Sequence, residues 1–249
     1  MNAQLRSELL KQRTTRSNLG LVLWMAGLVA LIVLLHVFSL SVGTLTRHDS
    51  QLKVLGWGTS IGALFASLLG AMSITSEIRH GTIRSTFLVT PERVRVIAAK
   101  VAASAIAGAA LGLLAEALTA ALESAGLAAR GIRIGLSGGE YAQLLAGGAA
   151  AAALFAAIGV GVGAIVRNQV GVVVGSCIWL LLIETTLIGN VPSAGKFAPG
   201  AGAGALAGAI QTQTATNLLA PALGALLLVA YAATATAVGS IAIARRDVS

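Results

Sequence analysis

Residues 77–100 read Glu77-Ile78-Arg79-His80-Gly81-Thr82-Ile83-Arg84-Ser85-Thr86-Phe87-Leu88-Val89-Thr90-Pro91-Glu92-Arg93-Val94-Arg95-Val96-Ile97-Ala98-Ala99-Lys100. This stretch holds five of the seventeen Lys and Arg residues (Arg79, Arg84, Arg93, Arg95, Lys100) against two acids, Glu77 and Glu92. On both sides the chain turns apolar for the roughly 20 residues that a helix needs to cross a bilayer. A basic island between two such runs is a loop joining two membrane spans. Backbone groups in lipid must be satisfied within the segment itself. The flanking runs therefore read as helices, and the fold class as an all-α integral membrane protein.

Composition agrees. The 249 residues are 56% hydrophobic and only 10% charged, with a mean hydropathy of +0.87, whereas soluble domains carry about 25% charged residues. Thirty glycines suit helices whose backbones approach closely. The net charge of +8 comes with only 4% aromatic residues. The basic side chains sit at the ends of apolar runs, which is the positive-inside pattern of a membrane protein and not a nucleic-acid-binding stripe. Cys177 is the single cysteine and lies in an apolar run, so no intrachain disulfide forms.

Working outward, residues 1–18 carry Arg6, Lys11, Arg13 and Arg16 against Glu8, with Leu5 and Leu9 at helical spacing. They read as an amphipathic helix in the inner interface, where basic groups meet anionic lipid headgroups. Six spans follow, at about 19–43, 54–76, 96–122, 141–166, 170–189 and 217–244. Together they make residues 1–249 one transmembrane domain. The first run is too long for a signal-peptide core. The polar loops between spans fall at 44–53, 123–140 and, after the fourth span, Arg167-Asn168-Gln169, which implies a tight hairpin. Residues 190–216 are rich in Gly, Ala, Pro and Thr; Pro192, Pro199 and a Gly-Ala alternation disfavour a long helix there. This region reads as a non-spanning outer segment with a short helix dipping into the interface. With both termini inside, the inner segments hold twelve Lys and Arg and the outer loops five, which supports the N-in, C-in arrangement.

Within the 77–100 loop, Gly81 frees the backbone to break the helix that ends near Glu77. Residues 82–87 then fit a short helix parallel to the membrane. Thr90-Pro91-Glu92 has the marks of a helix start: a hydroxyl cap, proline at the first position and an acid in the first turn. The segment before it becomes a compact basic knob, suited to passing force from a cytoplasmic partner into the membrane.

No enzyme constellation is present. The Gly-Ala runs lack the Gly-Lys-Ser/Thr of a phosphate loop, and His36, His48 and His80 are scattered without metal-ligand spacing. Small-xxx-small pairs, such as Gly58/Gly62, Gly108/Gly112, Gly159/Gly163 and Gly171/Gly175, indicate close helix packing collectively and little individually. Glu116 and Glu184 interrupt apolar runs. An ionisable group at membrane depth costs several kcal/mol unless paired or near water. Two readings stand: a polar transport path or proton site, or acids near the outer span ends that reach interfacial water or a loop arginine.

Glu77-Ile78-Arg79-His80-Gly81-Thr82-Ile83, then Leu88-Val89-Thr90-Pro91-Glu92-Arg93 and Lys100, resembles the inner loop of type-2 ATP-binding cassette (ABC) permeases. The basic N-terminal helix, the six spans, Arg167-Asn168-Gln169, Glu184 and the Pro-rich outer segment follow the same order. The resemblance implies a coupling helix between spans 2 and 3, docked on a separate ATP-hydrolysing subunit, with Glu77, Arg79, Gly81, Thr82, Arg84 and Arg93 at the partner-coupling positions. It further implies ATP and Mg on that partner and none on this chain, and a second permease copy, identical or similar. It also implies outward transport of a hydrophobic or amphipathic compound, such as a drug, lipid or peptide, across a bacterial inner membrane. Two alternatives stay open: a proton-coupled secondary transporter using Glu116 or Glu184, and a non-transporting membrane anchor or immunity protein.

Overall fold

The structure, a computed structural model, describes residues 2–83, 92–209 and 219–245. Every regular element among them is helical. Six helices are long and apolar enough to cross a membrane: Arg16–Ser39, His48–Arg79, Val94–Ala129, Gly138–Val166, Gln169–Asn190 and Pro221–Arg245. We number the elements α1 (Asn2–Thr14), α2 (Arg16–Ser39), α3 (Val42–Leu45), α4 (His48–Arg79), α5 (Arg93–Ala129) and α6 (Gly138–Val166). Next come α7 (Gln169–Ile178), a π-helical turn (Trp179–Ile183) leading into α8 (Glu184–Asn190), and then α9 (Pro192–Gly195), α10 (Pro199–Ala207) and α11 (Pro221–Arg245).

The core is α4, α5 and α6. Small residues bring their backbones almost into contact. A Cβ added at Gly159 would overlap the Ser67 carbonyl, and one at Gly70 the Ala156 carbonyl. Ser67 opposite Gly159 and Ala71 opposite Gly163 make α4 and α6 parallel. Gly108 faces Ala152 and Ala156 while Gly112 faces Gly148 and Ala152, so α5 runs antiparallel between them. Of the small-residue pairs in the sequence, Gly108/Gly112 and Gly159/Gly163 mark real contacts, whereas Gly175 has open space beside it. α2 lays one narrow stripe, Met25, Val29, Val33 and Val37, on this core. Its other face exposes Leu19, Leu23, Leu31 and Leu35, as α7 exposes Val170, Val174 and Ile178. Faces of this kind belong against lipid or another apolar surface. The chain is thus built as a multi-pass membrane protein.

Three boundaries depart from the sequence reading. α4 begins at His48, so most of the predicted 44–53 loop is helical. α5 continues through Glu123 to Ala129, leaving only a short connection before α6. It ends in a Schellman motif: the Ile132 amide donates to the Leu127 carbonyl at 2.9 Å, Gly131 takes φ of 66°, and Ile132 packs with Leu127 in the core. α6 begins at Gly138, capped by Ser137, whose hydroxyl accepts from the Glu140 amide while the Glu140 carboxylate accepts from the Ser137 amide. This capping box is visible in the sequence as Ser137-Gly138-Gly139-Glu140 and went unread. The expected hairpin after α6 is present: Arg167 turns the chain with φ of 57°, and the Asn168 side chain caps α7.

Among its described residues the segment before α11 contains no spanning helix, as expected, but it does not merely touch an interface. α10 is buried along nearly all its length, packed on α4, α6 and α11. Its Gly-Ala composition explains this: Gly202 meets Gly224 of α11, and Gly147 of α6 lies against the backbone of Leu206 and Ala207.

Candidate functional site

The end of the bundle that carries α1, the C-terminus of α4 and the start of α5 is tied by four charged side chains. Lys100 of α5 is 1% exposed. Its ammonium donates to Glu8 of α1 at 2.8 Å, to Glu77 of α4 at 2.7 Å and to the Ser73 carbonyl at 3.2 Å. All three of its donors are therefore engaged. Lys11 donates to Glu8 and to Glu77, both at 2.9 Å. Beside this knot, Gln12 of α1 donates to the Ser104 hydroxyl at 2.9 Å, and Ser104 pairs with Ser73 at 3.3 Å. Two ammonium groups against two carboxylates make a neutral cluster, which offsets the cost of burying each charge. Burial alone would lower the Lys11 pKa, but the hydrogen bonds and charges of Glu77 and Glu8 outweigh it and hold it above the ordinary lysine value.

The knot lies one turn above the break that the sequence placed at Gly81. α4 ends at Arg79, and Gly81 takes φ of 70°, a conformation natural to glycine. Arg79 and Thr82 are exposed, while Ile83 folds back into the core beside Ile74, Ile97 and Ile243. Of the predicted coupling positions, the structure thus groups Glu77, Arg79, Gly81 and Thr82 at one corner. Arg84, the 82–87 helix beyond Ile83, and the Thr90-Pro91 helix start lie outside the described residues. α5 begins at Arg93 with Glu92 as its N-cap; the Arg93 side chain also lies outside the described residues.

Neither predicted membrane acid reaches a loop arginine. With α5 extended to Ala129, Glu116 lies about 20 Å from its C-terminal end. It is 2% exposed and accepts a hydrogen bond from the Thr59 hydroxyl of α4. It is wedged between glycines: a Cβ added at Gly58 would fall 2.6 Å from its Oε2, and one at Gly148 would overlap its Oε1. Glu184, also 2% exposed, directly follows the π-helical turn. Its Oε1 accepts from the amides of Gly200 and Ala201, the latter at 3.2 Å. A carboxylate there satisfies orphan N–H groups and the positive end of the α10 dipole. Glu184 thus fastens the α7–α8 rod to α10.

Sequence reading missed Glu8, Lys11 and Lys100 as partners of Glu77, and missed Glu123 altogether. The signals existed: Glu8 and Lys11 share a face of α1, and a lone lysine two turns inside a helix has to find a partner. No protein-family model matches this chain, and no curated protein matches it.

Proposed function

We propose that this chain is the membrane-spanning permease subunit of an ABC transporter, using ATP hydrolysed by a separate subunit and pairing with a second permease copy. In this reading the exposed corner at Arg79, Gly81 and Thr82, with Arg84 and Arg93 beyond it, receives the ATPase. The observation that carries the reading is the Lys100–Glu8–Glu77–Lys11 knot. It welds the interfacial helix, the last turn of α4 and the first turns of α5 into one block directly above that corner. A push on the corner then moves α1, α4 and α5 together, which coupling requires and a slack topological loop does not provide. Substrates are hydrophobic or amphipathic and move outward across the inner membrane, by the same resemblance.

The test is transport by vesicles containing the chain and its ATPase. Gly81→Val, which forces a branched side chain into a left-handed backbone position, and Arg79→Glu should abolish ATP-dependent flux while the permease still inserts. Unchanged flux in both variants would sink the proposal. A secondary transporter is the competing reading, favoured by the buried acids on α5 and at the α7–α8 junction; it predicts flux driven by a proton gradient without ATP.

A further inference from the structure

Glu123 of α5 is fully buried, and neither of its carboxyl oxygens has a hydrogen-bond partner among the described residues. Successive steps of three and four residues put Glu116, Thr119 and Glu123 on one face of α5, and all three are buried. α4, packed against α5, contributes the buried Thr59 and Gln51. These residues form a polar seam running inward from the outer end of an otherwise apolar bundle.

Every other buried polar group on the seam is engaged. Gln51 donates to the Leu45 and Arg133 carbonyls and accepts from the Gly135 amide. Thr119 donates to the Ala115 carbonyl, and Thr59 to Glu116. The charged and titratable groups on the surrounding elements are mostly committed elsewhere. Arg130 of α5 donates to the Val37 and Leu40 carbonyls at the end of α2. His36 of α2 bonds the Ile32 carbonyl, His48 of α4 pairs with Glu140 of α6, and Tyr141 of α6 shares a hydrogen bond with Ser124. Asp49 and Lys53 of α4 make no bond to Glu123.

A carboxylate with no cation or donor from the described residues beside it in so apolar a place is strongly disfavoured, and the smallest ligand that removes its charge is a proton. No group of three or more metal-ligating side chains occurs among the described residues, and the glycines pressed on Glu116 leave no space there for a larger ligand. We propose that Glu123 is a proton-binding site on the α4–α5 seam, with Glu116 as a second carboxyl about 10 Å deeper along the helix. The reaction is the simple equilibrium of carboxylate and proton with carboxylic acid. The outer end of α5 is the nearer exit, since Glu123 lies six residues from Ala129.

The site belongs to this chain alone, so its test needs neither ATPase nor substrate. The purified full chain in lipid nanodiscs would be titrated with pH while its infrared carboxylic C=O bands are followed. We expect Glu123→Gln to lose one pH-dependent component that the wild type and Glu116→Gln retain, and Glu123→Asp to shift that component. Spectra of Glu123→Gln that match the wild type across the titration would overturn the assignment. Should Glu123→Gln not fold, Glu123→Asp decides the matter, and an unshifted band overturns the proposal equally.

Discussion

Replacing Lys100 by methionine is the most informative single perturbation of the charged knot. The substitution keeps the length of the side chain but removes the ammonium that joins Glu8 and Glu77. Two carboxylates, with side chains 4% and 11% exposed, are then left facing each other. Lys11, with a side chain 46% exposed, remains as their one cation among the described residues. Removing one partner of a buried ion pair costs about 3–5 kcal/mol, because the other charge stays buried without compensation. For a chain of this size each kcal/mol lowers the unfolding midpoint by about 2–4 °C, so a fall of roughly 6–20 °C is expected. The single cysteine, Cys177, is half-buried on α7 and reports unfolding in detergent through its reactivity with a thiol-specific dye. Adding Glu8→Gln and Glu77→Gln to Lys100→Met should recover most of the loss, since the stranded charges disappear. A fall of less than about 2 °C, or no recovery in the triple variant, would show that Lys100 reaches water and that the network does not hold the three helices together.

Other consequences follow from separate parts of the structure. Gly70→Ala pushes a methyl into the Ala156 carbonyl and should destabilise the bundle by about 1–3 kcal/mol, whereas Gly27→Ala, with open space around it, should be neutral or slightly stabilising in the same thermal assay. Glu184→Ala removes the acceptor for the Gly200 and Ala201 amides; hydrogen exchange of residues 199–207 should accelerate about tenfold or more, matching the 1–3 kcal/mol of an unsatisfied buried group, and unchanged exchange would refute the latch. Lys11, whose folded pKa is raised above 10.5, contributes stability that is complete below that value and lost as pH climbs through the higher folded one. Lys11→Met should therefore flatten the alkaline limb of a stability–pH curve, by well under about 1 kcal/mol because the ammonium is half in water.

What the sequence revealed and what it hid have physical causes. Long uncharged runs announce spans because lipid tolerates little else, and the break at Gly81 is legible because only glycine takes that backbone conformation freely. The extension of α5 past Glu123 was hidden because a glutamate at the end of an apolar run has the same pattern as a helix reaching water. In the fold that acid is instead buried two turns inside, and a glycine-ended cap closes the helix at Ala129. The burial of α10 was hidden because Pro and Gly read as loop. Here proline starts the helix and the glycines allow it to press against α6 and α11. The charged knot was only half legible, since Glu77 and Lys100 stand out in their own loop but the Glu8 and Lys11 that complete it lie about ninety residues away from Lys100.

The central claim is that the corner below this knot docks an ATP-hydrolysing subunit. The most direct measurement is to extract the chain from its native membrane in mild detergent, through a tag placed after Ser249, and identify what accompanies it. The account predicts an ABC-type ATPase in stoichiometric amount, lost when Arg79, Gly81 and Arg93 are substituted and retained when Glu123 is. A chain that purifies without any ATPase, and moves substrate on a proton gradient alone, would contradict it.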